Sequence, residues 1–138
     1  MTKMASSFPY YDDEIFSINN KDIGNYSVSN YGKVVCRRTT HPLQKSYQQN
    51  PIKPKVLRDY TVAYCFDIKG ETFIISTHYL VCKAFNPNPL KLNHIQHIDG
   101  DIRNNTANNL KWTNDTENST AITLSVWCPT TKKYKNIN

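Results

Sequence analysis

The residues best placed to do chemistry lie between His94 and Asn118, in the stretch HIQHIDGDIRNNTANNLKWTNDTEN. His97 closes a short alternating segment, and Asp99-Gly100, a strong turn signal, follows at once. The chemistry open to such a histidine is proton transfer near neutral pH. Asn104, Asn105, Asn108 and Asn109 crowd the loop beyond. Asparagine tolerates left-handed backbone and bonds its own neighbours, so side-chain-to-backbone hydrogen bonds can shape such a loop. A titratable side chain held against a fixed scaffold is what a catalytic site requires. Each residue also has a plainer reading. His97 alone reads as a strand histidine, Asn118 as a solvated residue, and Trp112 as core. Asn104, Asn105 and Asn109 are structural on either view, and His94 is incidental.

The flanking chain must supply the scaffold. Residues 1 to 13 read as a tail, and Asp13 to Asn20 predicts a strand through Ile15, Phe16 and Ile18. Tyr26-Ser-Val-Ser-Asn30 alternates, turns at Asn30-Tyr-Gly32 and resumes over Lys33 to Arg38, which is a hairpin signature. Residues 39 to 55 hold three prolines and no period, so a basic loop is expected. Strand signals return at Val56 to Arg58, Tyr60 to Asp67 and Glu71 to Ser76, rich in β-branched and aromatic residues. From Thr77 the period turns helical, with Leu80, Val81, Ala84 and Phe85 on one face. Ser76 or Thr77 would cap this helix and Asn86-Pro87 would end it. Leu110 to Trp112 reads as a short strand, followed by a run able to start a helix. Ile122 to Cys128 and Lys132 to Lys135 flank Pro129-Thr-Thr and predict a terminal hairpin.

The length, 138 residues, suits one domain or two small units sharing a core. A hydrophobic share of 38% and mean hydropathy of −0.62 predict a soluble chain with a modest core. No run is long enough to span a bilayer and no signal-peptide pattern opens the chain, so an intracellular, non-secreted protein is expected. The net charge of +6 favours a polyanionic partner such as nucleic acid. Cys36, Cys65, Cys82 and Cys128 contain no C-x-x-C pair, which argues against structural zinc and predicts free, mostly buried thiols.

In order and spacing, His97-Ile-Asp-Gly100, Asn104-Asn105, Asn109-Leu-Lys-Trp112 and Glu117-Asn118 resemble the HNH motif of phage and viral intron-type homing endonucleases. GNYSVSNYGKV, from Gly24 to Val34, resembles the nuclease-associated modular (NUMOD-type) segment. THYLVCKAFNPNP, from Thr77 to Pro89, resembles the stretch that connects the two. The resemblance covers roughly residues 14 to 120. It implies an α+β fold, with a ββα-metal (His-Me finger) HNH core at 77 to 120. A small antiparallel β-rich DNA-binding segment at 14 to 76 would precede it, and a hairpin or tail at 121 to 138 would follow.

The same resemblance implies a metal-dependent DNA endonuclease. His97 would be the general base, Asn109 would tie the loop together, and Asp99, Asn104 and Asn105 would brace it. Asn118, projecting from the helix, would ligate one Mg²⁺ (or Mn²⁺). Gln96 stands where some relatives carry a ligating Asp. A neutral amide is a poorer Mg²⁺ ligand than a carboxylate, which leaves metal binding dependent on DNA phosphates. Backbone contacts to DNA would fall to Lys33, Arg37, Arg38, Lys53, Lys55, His78 and Arg103, with a solvated basic face, or core packing for His78, as the competing reading. The alternative function is a DNA-binding protein that keeps the fold without useful catalysis. No sequence feature chooses between a monomer and a homodimer.

Overall fold

The computed structural model describes residues 13–17, 26–39, 47–68 and 70–137. The expected tail as far as residue 12, the end of the expected first strand at 18–20, and residues 40–46 lie outside the described residues. Three antiparallel sheets and one α-helix form among the residues described.

The first sheet has the order β1-β2-β3, with β1 at Tyr26–Val28, β2 at Val34–Thr39 and β3 at Tyr47–Pro51. Its hairpin turns at Gly32, whose φ of +85° is costly for a residue with a Cβ. The strand β3 corrects the loop expected over residues 39 to 55. It lies at the sheet edge, pairing Arg37 with Gln49 and Val35 with Pro51. A proline is tolerated at an edge because no neighbour asks for its missing N–H, so Pro51 ends the strand without preventing it. Phe16 makes an isolated bridge to Ser29, the described part of the expected first strand.

The second sheet has the order β10-β9-β6-β5-β4, with β4 at Lys55–Val56, β5 at Val62–Ile68 and β6 at Glu71–Ser76. β9 at Leu124–Cys128 and β10 at Lys133–Asn136 form the expected terminal hairpin. Along β5 the burial alternates with the two-residue period of a pleated strand. Tyr64 and Phe66 point inward, while Cys65 and Asp67 are exposed. β5 starts at Val62 rather than Tyr60, which sits in a turn at φ +67°.

The helix α1, Thr77–Phe85, follows β6 without a loop. Ser76 occupies the N-cap, but its hydroxyl accepts the Thr123 N–H at 3.2 Å instead of capping the helix. The inward face carries Thr77, His78, Leu80, Val81 and Cys82, and Ala84 is exposed. The buried stripe is therefore rotated from the expected one, and it takes His78 inside. Asn86 ends the helix and holds two neighbouring segments, donating through Nδ2 to the Ala107 and Leu110 carbonyls at 3.1 and 2.9 Å.

The third sheet pairs β7, His94–His97, with β8, Leu110–Thr113. One core joins all these parts: Val28, Val34, Tyr64, Phe66 and Ile75 pack with Leu80, Val81, Ile95 and Leu110. The described cysteines are free, with Cys36 and Cys82 buried and Cys65 exposed. Among the described residues no helix is long and apolar enough to cross a membrane.

The helix expected after β8 does not form. Residues 114 to 118 bend instead, and at 120 the chain bridges back to Ile95, with the Thr120 N–H donating to the Ile95 carbonyl at 2.8 Å. The cause is composition. Asn114 to Thr120 is almost wholly polar, so no apolar face exists to repay helix nucleation. Asp115 takes the Glu117 and Asn118 N–H groups at 3.0 and 3.3 Å, fixing a local turn that competes with helix.

Candidate active site

Burial along β7 alternates, placing Ile95 and His97 inside and His94 and Gln96 half-exposed on the other face. His97 is only 4% exposed, and both ring nitrogens are engaged. Nε2 lies 2.7 Å from Asn105 Oδ1, and Nδ1 lies 2.8 Å from Thr120 Oγ1. An amide oxygen only accepts, so Nε2 carries the proton and Nδ1 is the basic nitrogen.

The loop that presents Asn105 is one hydrogen-bonded network. Asn109 accepts the Asp99 N–H at 3.0 Å and donates to Asp99 Oδ1 and the Asn104 carbonyl, each at 2.9 Å. Asn104 Nδ2 donates to Asp99 Oδ2 at 2.8 Å. These donors, Asn104 first, hold the Asp99 carboxyl below the usual carboxylate range. Gly100, at φ +76°, makes the turn by donating its N–H to the His97 carbonyl at 3.0 Å.

The first sheet buttresses this loop from outside. A Cβ on Gly32 would meet the Asn105 carbonyl oxygen and the Thr77 methyl, each at 3.2 Å. The Tyr64 hydroxyl donates to the Gly32 carbonyl at 3.0 Å, and the Ala107 N–H to the Asn30 carbonyl at 2.8 Å. Sequence reasoning missed Thr120, Gly32 and Asn86 as positioning residues. Gly32 and Asn86 carried signals, as a turn glycine and as an Asn-Pro at a helix end, and Thr120 carried none.

His78 is fully buried, with its ring edge-on to that of His97 at 5.3 Å between centroids. Neither ring nitrogen has a hydrogen-bond partner, although backbone of Thr120 and Ala121 lies near. Burial first, and His97 second, push it down from 6.5 to about 4. So buried, it cannot touch a DNA phosphate, which corrects that expectation. It also predicts a pH dependence. Between the two values the unfolded chain is protonated at His78 and the folded one is not, so protons favour unfolding there. Stability should fall by up to roughly 3 kcal/mol as pH drops from 6.5 to about 4. Denaturant unfolding at about pH 7 and about pH 5 should show the slope in wild type and a flatter one in His78→Phe. Equal slopes would contradict the neutral, buried His78.

The remaining predicted residues are more dispersed. Asn118 is exposed, and its Nδ2 donates to Asp115 Oδ2 at 2.8 Å. Its neighbour two residues on, Thr120, touches His97. Gln96 lies on the opposite face of β7 from His97. Arg103 is exposed beside Asp101, with Nε 3.3 Å from Oδ1. Lys33 pairs with Glu14 at 3.5 Å, and Lys53 and Lys55 are exposed. The side chains of Arg37 and Arg38 lie outside the described residues. No cluster of three His, Cys, Asp or Glu able to hold a metal exists among the described residues.

No family model matches the chain. Over 99 residues it is 34% identical to an uncharacterized HNH endonuclease of Acanthamoeba polyphaga mimivirus, covering 69% of this chain and 26% of that protein. The fold matches the solved HNH homing endonuclease I-HmuI with a TM-score of 0.53 and 27% identity. That match covers 67% of this chain and 49% of the I-HmuI chain. In sequence and in structure, this chain is similar to HNH endonucleases. It spans about a quarter of the mimivirus relative and about half of the I-HmuI chain. The I-HmuI structure concerns DNA binding and cleavage by that enzyme.

Proposed function

We propose that this chain is an HNH-type DNA endonuclease that hydrolyses phosphodiester bonds with a divalent metal and His97 as general base. The fixed pose of His97 carries the reading: Asn105 sets its tautomer and Thr120 occupies its basic nitrogen. A water donating to Thr120 Oγ1 passes its proton through that hydroxyl to Nδ1. The hydroxide so formed bonds to phosphorus, the phosphorus–3′ oxygen bond breaks, and the imidazole is left cationic. The relay reaches a base that is itself only 4% exposed. Asp99, Asn104 and Asn109 position the Asn105 loop, while residues 14 to 76 act as a NUMOD-type DNA-contacting segment. Lys33, Arg37, Arg38, Lys53, Lys55 and Arg103 are the proposed phosphate contacts.

The donor chemistry suits Mg²⁺ or Mn²⁺, which prefer oxygen ligands. Asn118 would contribute Oδ1, its Nδ2 being held by Asp115, whereas Gln96 faces away from His97 and would not reach the same ion. The bound ion supplies charge neutralisation at the leaving 3′ oxygen. The Asn118 amide is neutral, so DNA phosphates must complete the coordination. Asn118→Ala is expected to raise the Mg²⁺ concentration for half-maximal nicking about tenfold or more, with metal-free DNA affinity unchanged. An unchanged Mg²⁺ requirement would remove Asn118 from the metal site.

Two observations favour a second reading, DNA binding without cleavage. His97 is buried, and Asn118 lies in a bend rather than on a helix.

A further inference from the structure

A tight turn from Leu57 to Thr61 joins β4 to β5 and holds a tyrosine outside the protein. Tyr60 is 73% exposed, and Val56 at the end of β4 is 63% exposed. Tyr60 adopts φ +67°, a left-handed conformation that glycine takes freely and a bulky side chain does not. Hydrogen bonds lock it there. The Leu57 N–H donates to the Thr61 carbonyl and the Tyr60 N–H to the Leu57 carbonyl, each at 2.9 Å. Asp59 Oδ1 accepts the Thr61 N–H at 3.0 Å. The ring is thus presented rigidly, at a cost in backbone strain and in exposed apolar surface.

The turn is basic and lies near the site. Lys53, Lys55 and Arg58 are exposed, and none of them pairs with a carboxylate among the described residues. Asp59 is the one acid between Pro51 and Phe66, and its carboxyl is turned to Thr61. Asp59 also acts electrostatically on the buried His78, whose ring meets that of His97. The strand register agrees: Ala63 of β5 pairs with Ser76, where α1 begins. Residues 53–56 and 58–60 are all exposed, so this end of the sheet is a convex tip rather than a cleft.

We propose that this turn enters a groove of duplex DNA beside the cut, wedging the Tyr60 ring between two base pairs while Lys53, Lys55 and Arg58 meet the flanking phosphates. A rigid apolar ring set among cations matches stacked bases beside a phosphate chain. A convex tip fits the groove of a duplex, whereas an unpaired strand is held in a channel. An apolar partner would desolvate the three cations without compensation. Wedging unstacks one base step, and the phosphate contacts offset that cost. The inference rests on the nuclease reading for its DNA partner and for the nearness of the cut.

The test binds the full chain to closed circular plasmid in chelator and relaxes the DNA with a topoisomerase that needs no metal. A wedged ring unwinds the duplex, so the linking number should fall in proportion to bound protein. Tyr60→Phe should unwind like wild type. Tyr60→Gly should bind about tenfold more weakly and, at matched occupancy, leave the linking number unchanged. It should also keep wild-type stability in urea, because glycine accepts the left-handed turn. Lys55→Ala with Arg58→Ala should flatten the log K against log [salt] slope by about 1.8. No unwinding by wild type, equal unwinding by Tyr60→Gly, or an unaltered salt slope overturns the proposal. If the protein nicks plasmid with metal but does not unwind it in chelator, the wedge is wrong and the nuclease reading stands. Unwinding that depends on Tyr60, without nicking under metal, leaves the wedge standing and overturns the nuclease reading.

Discussion

His97→Ala is expected to lower DNA nicking by at least about a hundredfold, the lower end of what a positioned general base contributes. The variant should still fold and still shift DNA in a gel. Truncating the ring strands Asn105 Oδ1 and Thr120 Oγ1, at a cost of about 1–3 kcal/mol each. A domain with roughly 5–15 kcal/mol of stability tolerates a loss near the lower end of that sum. Reading nicking and gel shift on the same preparation separates lost chemistry from lost folding. If His97→Ala nicks at the wild-type rate, the proton goes elsewhere, and the half-exposed His94 on the other face of β7 becomes the next candidate.

Phe66→Ala should cost about 3–5 kcal/mol, the range for truncating a buried aromatic. Phe66 is 0% exposed, meets Tyr26 edge-on at 4.8 Å and lies 6.5 Å from the Tyr64 ring. Its cluster includes Val28 of the first sheet, Val81 of the helix, and Ile95 and Leu110 beneath the site. The loss should therefore loosen the support of His97 as well as lower stability. Urea unfolding should show a lower midpoint with an unchanged slope. A cost under about 1 kcal/mol would mean that the first sheet and the site do not share this core.

Much of the scaffold was legible because local rules and burial agree there. The hairpin turn at Asn30-Tyr-Gly32 is marked in the sequence, and its glycine sits at positive φ. The alternation over β5 and the switch to helix at Thr77 follow from periods that the core then uses. The turn at Gly100 and the strand ending in His97 were legible for the same reason.

What was not legible depended on tertiary partners. Tyr47–Pro51 has no strand pattern of its own and gains one from the edge of β2. The motif predicted a helix under Asn118, but Asp115 captures the local N–H groups and Thr120 turns back to Ile95. The helix face was misassigned by a rotation that exposes Ala84 and buries His78, a consequence of α1 packing against sheets on two sides. The contact from Thr120 to His97 spans 23 residues, and nothing in the local sequence marks it.

Conversion of supercoiled plasmid to open circles by the purified chain, with Mg²⁺ or Mn²⁺ and then with chelator, tests the central claim most directly. The account predicts nicking that requires the metal and stops on chelation. Binding of the same plasmid with no open circles under either metal would contradict it and leave a DNA-binding protein in place of an enzyme.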